Sequence, residues 1–272
     1  MDQRTVSKNK VTFNVSGSDE AWRSFQDNTW EPATFKILDK VLRPEQTVAD
    51  IGAWMGPISL YAASKVKKCY SFEPDPIAFK ELLINIKLNP DLEKKIVPLN
   101  QAVTRTGAPV KLFSRYTYGD SGSSVLKRIK SANQYVEVSS TTFQDFIRLN
   151  QIENIQFIKM DIEGGEFFVL PQMREYLERK KPILLVSFHF DALCEYIELK
   201  YLPFGIIRRI YRALDPYKII IKYFATKLMD QVITSLDFYH VYNNDLEPIT
   251  TFRNKKVFYQ KIDMLLFTQD RI

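Results

Sequence analysis

Three acids and one histidine stand where strands end. Ile155–Met160 is a short apolar run, and Asp161-Ile162-Glu163-Gly164-Gly165-Glu166 follows it directly. Paired carboxylates such as Asp161 and Glu163 can hold a hard divalent cation, or one can serve as a general base. The plainer reading makes Asp161 a helix cap and leaves Glu163 in water. His189 falls near the end of a very apolar run, Pro182–Phe190, and is one of only two histidines. An imidazole with an ordinary pKa near working pH suits proton transfer. His240, in a tyrosine-rich late stretch, reads as structural.

Two further stretches suit a nucleotide. Val48–Pro57 reads Val-Ala-Asp-Ile-Gly-Ala-Trp-Met-Gly-Pro. An apolar strand ends in Asp50, and Gly52 and Gly56 lead into a helix from Pro57. Such a turn binds nucleotides at the helix start, though any tight α/β turn can look alike. Here Gly52 would let a ligand approach the backbone closely. About 20 residues on, Phe72-Glu73-Pro74-Asp75-Pro76 ends a second strand in an acid, the usual ribose ligand in dinucleotide-type folds. A carboxylate suits two hydroxyls because it only accepts. Asp75 with Pro76 reads as the next helix start. Asn100 and Gln101 end a third strand. Trp30 and Glu31 precede a helix over Asn28–Leu42. They form either a staple with an N-terminal acid, or a wall beside a bound cationic group.

The elements that position these residues alternate. Strands are expected at Thr47–Ile51, Cys69–Phe72, Lys95–Leu99, Ile155–Met160 and Pro182–Phe190, with a closing pair at Asp237–Tyr242 and Met264–Phe267. Helices are expected at Ile58–Val66, Asp75–Leu88, Thr142–Leu149 and Phe167–Leu177. This order predicts an α/β fold with a mainly parallel sheet covered on both faces. Residues 1–28 read as an irregular or edge-strand lead-in, and 29–272 as one domain. Val110–Phe113 and Tyr135–Ser139 read as a strand pair around a polar Gly/Ser loop, Ser114–Ser131, of the kind that carries function.

The 272 residues carry a net charge of +6. Most of it lies in Lys200–Asp230, which has seven basic residues against two acids and six aromatic side chains. This helical insertion can grip an anionic partner, touch a membrane surface peripherally, cover the acceptor side of a pocket, or simply be solvated. No run reaches the ~20 apolar residues of a membrane span, and the polar start shows no secretory signal. Cys69 and Cys194 match no metal spacing and read as free core thiols. A cytoplasmic protein is expected.

Together, Val48–Gly56, Phe72–Pro76 and above all Lys159-Met160-Asp161-Ile162-Glu163-Gly164-Gly165-Glu166 resemble the FkbM family of S-adenosylmethionine-dependent methyltransferases. The resemblance runs from about Thr29 to His189. It implies a Rossmann-like sheet of seven strands with the last antiparallel, and methyl transfer to a hydroxyl of a sugar, glycan or other small metabolite. It implies that Asp50, Gly52 and the backbone at Ala53 and Trp54 hold the methionine part. Glu73 and Pro74 would meet the ribose, and Gln101 the adenine. Glu31 and Asp161 complete the expected cofactor set, and Asp161, His189 and Glu163 the catalytic set. Mg²⁺ or Mn²⁺ on Asp161 and Glu163 is an open alternative to a base at His189 or Asp161. The sequence departs from the family at Trp54, where asparagine is usual, and at Ser187, where an acid is common.

Three other readings remain. A nicotinamide oxidoreductase needs Gly-x-Gly-x-x-Gly, but the turn here is Gly52-x-x-x-Gly56. A nucleic-acid methyltransferase fits the charge but shows no RNA-binding motif. A non-catalytic nucleotide-binding protein would keep the turn and lose the chemistry.

Overall fold

Alternate residues of the central strands face opposite sides of one sheet. Val48, Phe157, Leu185 and Leu266 join one buried cluster, and Ala49, Ile158, Leu184, Val186, Leu265 and Phe267 join the other. That period of two, with both faces apolar, is what a sheet covered by helices on both sides requires. The computed structural model describes residues 3–129, 134–201, 215–250, 252 and 264–271.

The chain begins with a hairpin, β1 (Arg4–Lys8) and β2 (Val11–Val15), then α1 (Asp19–Gln26) and α2 (Pro32–Val41). The stretch expected to be an irregular or edge-strand lead-in is a two-stranded hairpin followed by a helix. Their Val6, Phe13, Val15, Trp22 and Phe25 sit in the same buried cluster as Phe35 and Tyr61. The next units are β3 (Thr47–Ile51), α3 (Pro57–Ala63), β4 (Lys68–Phe72), α4 (Pro76–Lys87), α5 (Pro90–Glu93) and β5 (Ile96–Leu99). Short pieces follow: β6 (Ala102–Val103), β7 (Val110–Leu112), β8 (Val136–Val138), β9 (Ser140–Thr141) and α6 (Phe143–Leu149). The strands β7 and β8 pair antiparallel, as expected. The second half runs β10 (Phe157–Met160), α7 (Glu166–Lys180), β11 (Ile183–Ser187), α8 (Phe190–Tyr201), α9 (Asp215–Ser235), β12 (His240–Tyr242) and β13 (Met264–Thr268).

Seven strands form the main sheet in the order β12-β13-β11-β10-β3-β4-β5. Only β13 runs against the rest, antiparallel to both β11 and β12. From β3 the chain moves outward to β4 and β5, then returns to place β10 on the other side of β3. Such a switch point opens a crevice at the strands' carboxyl ends, where α/β sheets bind ligands.

The basic stretch is part of the fold where it is described. From Ile221 onward, α9 buries Ala225, Met229 and Val232 in the core shared with α7 and α8. In chain order it lies between β11 and β12. None of its described residues lines the cavity at the switch point. Arg208, Arg209 and Arg212 lie outside the described residues. Among the described residues, no helix is long and apolar enough to cross a membrane.

Candidate active site

At the switch point β3 and β10 end side by side. Met160 is in register with Ile51, and the Asp161 N–H donates to the Ile51 carbonyl at 2.9 Å. The chain then turns at Gly52, φ +92°, so tightly that a Cβ there would lie 1.9 Å from the Asp161 carbonyl oxygen. The glycine expected to admit a ligand is thus required first by the neighbouring strand. It still lines the cavity, with Ala53, Trp54, Glu73, Pro74 and Gln101.

Glu73 shapes the turn and faces the cavity. One carboxylate oxygen accepts from the Trp54 N–H at 2.7 Å, the other from the Asp75 N–H at 2.8 Å. A carboxylate has about four acceptor positions, so each oxygen keeps one for a further donor. Burial pushes its pKa up to about 8, against the pull of those two N–H groups. Gln101 lines the cavity, whereas Asn100 turns away and donates to the carbonyls of Glu73 and Pro74.

Asp50 is buried behind the turn. One oxygen accepts from the Ser59 hydroxyl at 2.6 Å, and the other has no hydrogen-bond partner among the described residues. Burial raises its pKa, partly offset by Lys159. Asp50 is absent from the cavity wall, but Glu31 is on it. Glu31 accepts from the Thr34 hydroxyl at 2.9 Å and opens α2 with a left-handed backbone. Burial raises its pKa and Lys159 opposes this. Trp30 lies against Trp54, ring centres 5.9 Å apart. The Trp54 indole donates to the Gly119 carbonyl at 2.8 Å, so the residue that departs from the family pattern ties the turn to the Gly/Ser loop.

The motif after β10 closes on itself and on His189. The fully buried Glu166 accepts from the N–H of Ile162 and of Gly164, both at 2.9 Å, which holds Glu163 in its left-handed conformation at φ +54°. Glu166 also meets His189 Nδ1 at 3.1 Å. His189 Nε2 then faces Asp161 Oδ1 at 3.5 Å and Glu163 Oε1 at 3.6 Å. The other Asp161 oxygen is 3.3 Å from buried Lys159, and the other Glu163 oxygen accepts from Arg128 at 2.6 Å. Asp161, Glu163 and His189 all line the cavity that holds Glu73.

This setting changes what His189 can do. Burial disfavours its charged form, but Asp161, Glu166 and Glu163 outweigh burial and push its pKa to about 10. At neutral pH it is an imidazolium with no lone pair to offer. The histidine expected as a base is thus held toward its charged form by the three carboxylates around it. Burial would raise Asp161, yet Lys159 and His189 hold it below the usual carboxylate range.

Several partners were not visible in the sequence. Asp75 caps α4 with one oxygen, accepting from Ile77 and Ala78, and with the other it accepts from the Gly119 N–H and the Ser123 hydroxyl. The Ser124 hydroxyl donates to the Glu163 carbonyl at 2.8 Å. These bonds, with Arg128, lay the loop along the cavity, where Asp120 through Val125 contribute five lining residues. Three non-glycine residues with positive φ, namely Glu31, Trp54 and Glu163, all border it. Strained backbone gathers at functional sites.

A strand-end cavity at the switch point, with a buried acid after the second strand and a carboxylate–histidine cluster after the fourth, defines a Rossmann-like nucleotide-binding protein. The sequence matches the model of the methyltransferase FkbM domain over residues 50–217, more than half of the chain, and the protein belongs to that family. Among solved structures, the methyltransferase FkbM from Methylobacillus flagellatus KT is 14% identical, with a TM-score of 0.42 over 92% of this chain. The present chain spans 55% of that protein's length. M. jannaschii TYW2, solved in complex with AdoMet, is 16% identical with a TM-score of 0.40, covering 99% of this chain and 87% of its own. The M. jannaschii tRNA m1G37 methyltransferase is 17% identical with a TM-score of 0.34, covering 73% and 48%. No functionally curated protein matches the sequence.

Proposed function

We propose that this protein transfers a methyl group from S-adenosylmethionine to a hydroxyl of a small acceptor such as a sugar or glycan. The observation that carries the reading is that Glu73 and the Asp161–Glu163–His189 cluster line one cavity. One end suits a nucleoside and the other suits an acceptor hydroxyl. The residues fit the cofactor: Glu73 keeps a free acceptor position on each oxygen for the two ribose hydroxyls. Gln101 with Ala102, Val103 and Leu112 offers a mostly apolar slot for the base. Glu31, also on the cavity wall, would take the amino group of the methionine part.

When bound, the cofactor supplies a methyl group on a sulfonium, already a strong electrophile. The protein's task is then mainly placement. One of Asp161 and Glu163 would accept the hydrogen bond of the acceptor hydroxyl and receive its proton. Lys159, Arg128 and the Glu166–His189 pair keep those carboxylates in place. Trp30 and Trp54 wall the cavity from water.

Labelled S-adenosylmethionine incubated with a panel of hydroxylated acceptors tests this. Conversion to S-adenosylhomocysteine should depend on the acceptor, and carbon NMR of the product should show an O-methyl signal. A product methylated on nitrogen or carbon, or no conversion with any acceptor class, would overturn it.

A further inference from the structure

The geometry points to a divalent-cation site made by Asp161, Glu163 and His189, with Glu166 as the residue that aims the imidazole; we propose that it takes a first-row ion of the Mn²⁺ type. Ligand atoms of the three side chains all lie within 4.8 Å of one another. Each carboxylate has one oxygen occupied by a buried cation, Lys159 or Arg128, and turns its other oxygen toward His189 Nε2. Three donor atoms, one from each side chain, therefore face one another across a single small space.

The fourth residue matters most. Metal-binding histidines almost always give their second ring nitrogen to a carboxylate or carbonyl, which fixes the tautomer. Glu166 does this here: it is fully buried, it sits 3.1 Å from Nδ1, and its own oxygens are pinned by two backbone N–H groups. With the proton on Nδ1, Nε2 presents a lone pair toward Asp161 Oδ1 and Glu163 Oε1.

Two carboxylate oxygens and one imidazole suit Mn²⁺ or a similar ion better than Ca²⁺, which prefers oxygen alone. Three protein donors fall short of the six such an ion takes. The remaining positions would go to water or to oxygens of the acceptor, since the cluster lines the open cavity. Binding of the ion is independent of the methyl-transfer reading; its role toward the acceptor rests on that reading.

The test is titration of the full-length protein with MnCl₂, with free Mn²⁺ followed by electron paramagnetic resonance. Wild type should bind one ion. Asp161→Asn and His189→Ala should each weaken binding by at least about tenfold, and Glu166→Gln by about 10–100-fold, as outer-shell partners do. Glu93→Gln, an exposed acid elsewhere, should bind as wild type does. The urea unfolding midpoint of each variant, measured in parallel, reports folding, and S-adenosylhomocysteine affinity of the wild type reports the methyltransferase reading. No saturable Mn²⁺ uptake by wild type, or equal uptake in the Asp161, His189 and Glu166 variants, overturns the site. If Mn²⁺ binds but S-adenosylhomocysteine does not, the cation site stands and the methyltransferase reading falls. The reverse result leaves methyl transfer standing without the ion.

Discussion

Glu73 is the residue proposed to hold the ribose, because each of its oxygens accepts one backbone N–H and keeps a position for another donor. Replacing it by alanine removes a charged acceptor from two ribose hydroxyls. The loss should be about 1–3 kcal/mol in S-adenosylhomocysteine binding. Calorimetry checks this, and unchanged affinity would contradict it. The same residue sets a pH dependence. Burial raises its pKa to about 8, so the free protein carries a proton there at pH 7. The ribose prefers the ionised form, so S-adenosylhomocysteine affinity should rise from about pH 6.5 to about 8.5 and then level off. The rise should vanish in Glu73→Gln. Gly52 is a stability residue first. Alanine there must adopt φ near +92° and push against the Asp161 carbonyl. Backbone strain alone should cost about 1–3 kcal/mol, visible as a lower midpoint in urea. A wild-type midpoint would show that the two strand ends can separate freely.

At the scale of elements, the Gly/Ser loop is held by acids that serve two partners each. Asp75 caps α4 and also binds Gly119 and Ser123. Asp75→Ala should destabilise the helix start by about 1 kcal/mol. It should also raise amide hydrogen exchange across Gly119–Ser124. Unchanged exchange there would mean that Trp54 and Arg128 hold the loop alone. The strand ends were legible in the sequence because acids and glycines interrupt apolar runs at Asp50–Gly52, Phe72–Glu73 and Met160–Asp161. The partners were not. Arg128 reaches Glu163 across 35 residues and Gly119 reaches Asp75 across 44, and no local pattern records such pairings. Glu166 stood inside the quoted motif, but its burial and its hold on His189 came only from the fold. The charge state of His189 was hidden for the same reason: three carboxylates surround it, and one of them lies 28 residues away along the chain at Asp161.

At the scale of the molecule, β1, β2 and α1 pack into a buried cluster shared with the main sheet. Polar alternation made them read as a lead-in, because a two-stranded hairpin shows only every second residue to the core. Trp22 is completely buried, its ring edge-on to Phe25 and its indole N–H donating to the Ser16 carbonyl. Trp22→Ala should cost about 3–5 kcal/mol in global stability, measured by denaturant unfolding. A change under about 1 kcal/mol would mean that the hairpin folds apart from the sheet.

The switch-point cavity is expected to take S-adenosylmethionine rather than a nicotinamide dinucleotide. Calorimetric titration of the wild-type chain with S-adenosylhomocysteine and, separately, with NAD⁺ tests it most directly. The expected result is saturable one-to-one binding of S-adenosylhomocysteine, weakened in Glu73→Ala, and no heat from NAD⁺. Binding of NAD⁺ with none of S-adenosylhomocysteine would contradict it.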